Sequence, residues 1–142
     1  MFYKIKALHE LGVEIILHCF EYGRGKQKKL NQYCKKVYYY DRNSFFKSFL
    51  SQDPFIVKSR SNDDLITNLN KDSYAVLFEG LHTTYPLTSH LLENKKVYVR
   101  THNVEHDFYK GLGKSETNVF KKRFFKQEAK KLKRFEKILK KT

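Results

Sequence analysis

The sequence predicts an α/β chain with a mainly parallel sheet. Two observations carry this expectation. Short apolar runs rich in β-branched and aromatic residues alternate with helical patterns along all 142 residues. Polar clusters follow directly on two of those runs, at Glu79-Gly80-Leu81-His82 and at Thr101 to His106, where open parallel sheets bind their ligands.

Residues 4–11 read as the end of a helix, stopped by Gly12 at the usual cap position. Residues 13–20 (VEIILHCF) form a dense apolar run, the pattern of a strand buried on both faces. A turn at 22–25 (YGRG) leads to a short polar helix over 26–33, and 37–40 (VYYY) is a second strand. A helix is expected over 45–50, broken by Asp53-Pro54, with 55–58 extended. Residues 63–69 (DDLITNL) are helical, with Ser61 or Asn62 as cap and two acids in the first turn. A third strand spans 74–78 (YAVLF), a helix 87–92, and a fourth strand 97–100 (VYVR). Beyond Gly113 a basic amphipathic helix is expected over about 116–141. No repeat, low-complexity tract or linker interrupts the chain, so one domain is expected.

Composition sets the outer bounds. Ten tyrosines and twelve phenylalanines need a core, which argues against disorder. No apolar run approaches about 18 residues, so no transmembrane helix is expected. Met1-Phe2-Tyr3-Lys4 opens straight into an amphipathic pattern without a secretory leader. Two cysteines, Cys19 and Cys34, make neither a disulfide framework nor a metal cluster and fit a reducing cytoplasm. The formal charge is +14, but residues 121–141 alone hold eleven Lys/Arg against two Glu, a net +9. Phe120, Phe124, Leu132, Phe135 and Leu139 recur there at three-, four- and eight-residue steps, one helical stripe with lysines on the other faces. Such a helix docks by its aromatics, and its basic face suits an anionic membrane surface. No nucleic-acid module accompanies it, so no nucleic-acid partner is expected.

His102-Asn103-Val104-Glu105-His106 matches H-x-x-E-H, a zinc-peptidase pattern. That chemistry needs both histidines on one helical face and a third ligand downstream, for which the basic helix offers Glu128 and Glu136. The preceding VYVR strand instead puts His102 at a strand end, so no metal is expected. A strand-end histidine can accept a hydrogen bond or a proton from an alcohol or sugar hydroxyl, or simply cap the next helix. Glu79 and His82 admit the same two readings, a ligand contact or a loop tie. His9, His18 and His90 read as structural, and Cys19, inside an apolar strand, as no nucleophile.

The run ALHELGVEIILHCF resembles the first helix end and second strand of GT-B-fold glycosyltransferases, with Val13 where the family usually has histidine. PFIVKSRSNDDLITNL, VLFEGLHTTYPL, VRTHNVEHDFYKGL and FKKRFFKQEAKKLKRFEKIL follow in the order of a bacterial subgroup of glycosyl transferase family 4. The resemblance implies retaining, metal-independent transfer of a sugar from a nucleotide-sugar donor to a glycan or lipid-linked acceptor. It implies a Rossmann-like acceptor-side domain, a mainly parallel sheet with helices on both faces that is incomplete here, with the donor held mostly by a second domain that this chain lacks and with no cofactor. His102 stands where the family has its strand-end histidine near the transferred sugar. Glu79, Gly80 and His82 match the neighbouring strand end, and Arg100, Asn103, Glu105 and His106 share the histidine's motif. The family opens with a strand and a glycine-rich loop that this sequence does not show, so the resemblance implies a partial domain, inactive alone. The implied location is cytoplasmic, peripheral to the inner face of the cell membrane. Two alternatives compete: a non-catalytic module using the basic helix on an anionic membrane or partner, and a metal-dependent H-x-x-E-H hydrolase.

Overall fold

The computed structural model describes residues 1–21, 23, 25–44, 48–88, 91–92 and 94–140. The chain divides into two compact units, Met1–Arg42 and Asn43–Thr142, and both are mixed α/β.

In the first unit, α1 (Phe2–Glu10) buries Ile5 and sets the rings of Phe2 and His9 edge-on to Tyr33. The helix ends as the sequence predicts. Gly12 takes φ +78°, its N–H donates to the His9 carbonyl, and the Val13 N–H reaches back to the Leu8 carbonyl. This is the paired bonding that closes a helix on a left-handed residue, a conformation glycine adopts without steric cost. β1 (Ile16–Glu21) and β2 (Lys36–Asp41) then run parallel, Ile16 opposite Lys36 and Glu21 opposite Asp41. A single 3₁₀ helix (Lys28–Gln32) stands where a polar helix was expected between them.

Every residue of β1 is half-buried, which corrects the expectation of a strand buried on both faces. Among the described residues β2 is its one ladder partner, and a two-stranded ribbon cannot enclose either member. On one face the rings of His18, Tyr38 and Tyr40 stack, His18 Nδ1 lies 2.8 Å from the Tyr40 hydroxyl, and the Lys36 ammonium sits over Tyr38. His9 and His18 are thus engaged in packing. Tyr22 and Arg24 of the expected turn lie outside the described residues.

The second unit is built around Val57, Leu81, Leu132 and Phe135, flanked by Ile56, Tyr85, Tyr109 and Leu139. Residues 55–58 are helical (α2, Phe55–Lys58), not extended. FIVK has strand-like residues, but the Pro54 carbonyl accepts from the N–H groups of Val57 and Lys58, and one turn carries Val57 into the core. α3 (Asp63–Leu69) starts where predicted, and Asn62 is its cap: its side-chain oxygen accepts from the Leu65 N–H at 2.9 Å.

β3 (Val76–Glu79) and β4 (Val97–Arg100) form a second parallel pair. Between them lie a 3₁₀ turn (Leu81–Thr83) and α4 (Tyr85–Thr88), which begins earlier than the helix expected over 87–92 because Pro86 suits a first helical turn. Leu91 and Leu92 are not helical. Residues 45–47, in the helix expected over 45–50, and His90 lie outside the described residues. Leu77 and Tyr98 oppose each other across the ladder and are 48% and 58% exposed, so helices do not cover both faces of this pair.

Two helices complete the unit, α5 (Glu105–Ser115) and α6 (Val119–Leu139), and they pack against one another. Asn118 caps α6, accepting from the N–H groups of Phe120 and Lys121. The buried stripe of α6 is Glu128, Leu132 and Phe135, with Phe124 and Leu139 half-buried at its ends. Phe120, counted in the stripe from sequence, is 86% exposed. Its place near the helix start puts it beyond the packed surface. No described helix is long and apolar enough to cross a membrane.

Candidate functional site

The register of β3 and β4 sets Glu79 opposite Arg100, so two parallel strands end side by side. The Gly80 N–H extends that ladder by one more bond, to the Arg100 carbonyl at 2.8 Å. Gly80 then turns the chain with φ +93° and ψ +148°, a combination open in practice only to glycine. Its carbonyl accepts from the Thr83 N–H and hydroxyl, closing a tight turn. The turn lays the His82 ring against Gly80 so closely that a Cβ there would stand 2.5 Å from His82 Cε1.

From the other strand end, His102 reaches back across the ladder. Its Nε2 lies 3.2 Å from Oε2 of Glu79, with the glutamate side chain 13% exposed and the imidazole 48%. The next helical turn supplies Glu105 and His106. His106 Nδ1 is 2.5 Å from Glu136 Oε2, and its backbone N–H donates to Glu136 Oε1 at 3.2 Å. Asp107 lies on the other ring nitrogen at 3.7 Å. Burial raises the Glu105 carboxyl above its ordinary value, the Glu136 charge raises it further, and His102 opposes the shift. Glu105 therefore feels both imidazole–carboxylate pairs.

The structure brings together Glu79, Gly80, His82, His102, Glu105 and His106 at one strand end. Arg100 contributes its backbone carbonyl there, while Asn103 sits exposed in the link to α5. The two histidines of H-x-x-E-H turn to different carboxylates, His102 to Glu79 and His106 to Glu136. Among the described residues no group of three His, Cys, Asp or Glu side chains is placed to hold a metal ion. What the arrangement offers is imidazole and carboxylate acceptors, which suit hydroxyl groups.

Glu136 is the member sequence reasoning missed as part of this site, and Glu128 plays a matching part in the core. Glu128 is 1% exposed, and its Oε2 accepts the Phe55 N–H at the start of α2 while Oε1 takes the Lys131 ammonium. Both glutamates of the basic helix thus satisfy first-turn N–H groups of other helices, Glu128 on α2 and Glu136 on α5. One signal was available: Glu128 fills the eight-residue step in the Phe124–Leu132 stripe, the position where an apolar residue belongs.

Elsewhere, a groove of about 330 Å³ in the first unit lies at the amino ends of β1 and β2, lined in part by His9, Glu14, Tyr33, Cys34 and Lys35. The Cys19 thiol is pushed up to about 11, chiefly by burial and then by Cys34, and burial raises Cys34 as well. Both stay protonated near neutral pH, which suits packing and not nucleophilic attack.

No protein-family profile and no solved structure matches the chain. The chain is similar to an uncharacterized 44.6 kDa protein in the cps region of Klebsiella pneumoniae, at 34% identity over 115 residues. That match covers 78% of this chain and 29% of the relative, so the chain spans under a third of the relative's length.

Proposed function

We propose that this chain forms the acceptor side of a Rossmann-like domain in a GT-B-type glycosyltransferase. The enzyme would move a sugar from a nucleotide-sugar donor to a glycan or lipid-linked acceptor, with no metal. The observation that carries this reading is the Glu79–His102 pair at the adjoining carboxyl ends of two parallel strands. An imidazole half open to solvent and backed by a carboxylate is equipped to take a hydrogen bond from a sugar hydroxyl. The relative's place in a cps, or capsule polysaccharide, region agrees with work on polysaccharide. His82, Glu105 and His106 line the same strand end and would bound the acceptor.

The test uses protein expressed from the full reading frame that contains these residues. It is incubated with a panel of nucleotide sugars and a cell-envelope acceptor extract, and nucleoside diphosphate release is followed. His102→Ala is expected to lower turnover about 100-fold with the unfolding midpoint nearly unchanged. Undiminished turnover in the variant would remove His102 from the site.

A second contact is favoured by the start of α6. Val119 and Phe120 are 74% and 86% exposed, directly before Lys121, Lys122 and Arg123. Apolar side chains that can enter a bilayer beside cations that attract anionic headgroups suit a peripheral membrane contact on the cytoplasmic side. The chain is expected to float with vesicles containing phosphatidylglycerol, and Phe120→Ser together with Lys121→Glu should abolish flotation. Equal flotation of wild type and variant would exclude this surface.

A further inference from the structure

We propose that Glu79 is a positioning residue that holds His102 in the Nε2–H tautomer, so that ring nitrogen Nδ1 presents its lone pair to an acceptor hydroxyl. This rests on the sugar-transfer reading and adds which atom of the imidazole meets the substrate.

The chemistry of the pair fixes the direction. An ionised carboxylate can only accept, so at 3.2 Å from Glu79 Oε2 the Nε2 atom of a neutral His102 ring carries the proton. Nδ1 is then left as an acceptor. A hydroxyl can donate to it without any net proton transfer, or lose its proton to it and leave an imidazolium still paired with Glu79.

The backbone makes this geometry repeatable. Glu79 closes β3 in register with Arg100, two residues before His102, and the Gly80 N–H bond to the Arg100 carbonyl ties the two chain ends at that point. The carboxylate is largely withdrawn from water while the imidazole is half open. That is the division expected of a fixed partner and a working group. On the far side, Glu136 engages His106; Glu105 acts on the His102 ring electrostatically, while Glu79 is the carboxylate that the described residues place at 3.2 Å from its Nε2.

The decisive measurement is made on the 142-residue chain itself, labelled with ¹⁵N-histidine and read by long-range ¹H–¹⁵N correlation at pH 7.5. His102→Ala assigns the signal by its loss. The wild type is expected to show His102 protonated on Nε2. Glu79→Ala should return that ring to the tautomer mixture of a free imidazole, while the His18 and His106 signals stay in place and report an intact fold. Glu79→Gln keeps an acceptor oxygen and should keep the Nε2–H form. A proton on Nδ1 in the wild type, or a His102 ring indifferent to Glu79→Ala, overturns the proposal.

In the transfer assay Glu79→Ala is expected to lower kcat about tenfold with KM little changed. The Glu79→Ala/His102→Ala double variant should be no slower than His102→Ala alone. Additive losses would give Glu79 a role of its own and also overturn the proposal. If no sugar transfer is found at all, the proposed function fails, and the tautomer measurement still decides whether Glu79 sets the state of His102.

Discussion

Glu128→Ala is expected to destabilise the second unit by about 2–4 kcal/mol, read from urea unfolding of the intact chain. The carboxylate is 1% exposed and holds two partners at once, the Phe55 N–H at 2.5 Å and the Lys131 ammonium at 2.9 Å. Alanine removes the carboxylate that accepts from the part-buried first N–H of α2. It also takes the counter-charge from Lys131 and opens a void beside Leu132 and Phe135. Glu128→Gln retains an acceptor oxygen for Phe55 and loses only the charge, so it should cost about 1 kcal/mol. A loss below about 0.5 kcal/mol for the alanine variant would show that α2 does not depend on this cap.

Gly80→Ala is expected to cost about 2–3 kcal/mol and to disturb the strand-end site in the same step. Two separate penalties meet there. The backbone stands at φ +93° and ψ +148°, where any L side chain is strained, and the new Cβ would lie 2.5 Å from His82 Cε1. The ring can swing aside, whereas the backbone cannot relax without giving up the Gly80–Arg100 bond or the turn held by Thr83. Adding His82→Ala should therefore recover only the steric part of the loss. Full recovery in the double variant would mean that the backbone is not strained, and that crowding alone reserves the position for glycine.

Much of the local structure was legible because its causes are local. Gly12 stops α1, Asn62 caps α3, and VYVR is β4 from first residue to last. Each rests on bonds or preferences spanning a few residues. Residues 55–58 went the other way. Isolated FIVK favours an extended chain, and its single helical turn is stabilised by a carboxylate 73 residues further on and by burial of Val57. Glu136 follows the same rule, reaching the His106 N–H across 30 residues. A cap of that range leaves no periodic trace beyond an acid standing on an apolar stripe. Phe120 shows the converse: its spacing fits the stripe, but the partner surface does not extend that far along α6.

The sequence by itself determined the alternation of helices and strands, the parallel sense of the strand pairs and the concentration of polar residues at the ends of β3 and β4. Those features follow from side-chain periodicity and turn chemistry, which act between near neighbours. Only the tertiary structure decided that β1 is half-buried in a two-stranded ladder, that Glu128 and Glu136 serve other helices, and that His102 faces Glu79 while His106 faces Glu136. Pairings between residues far apart in the chain depend on which surfaces meet after folding, and a carboxylate's partner is chosen by that meeting and not by its neighbours in sequence.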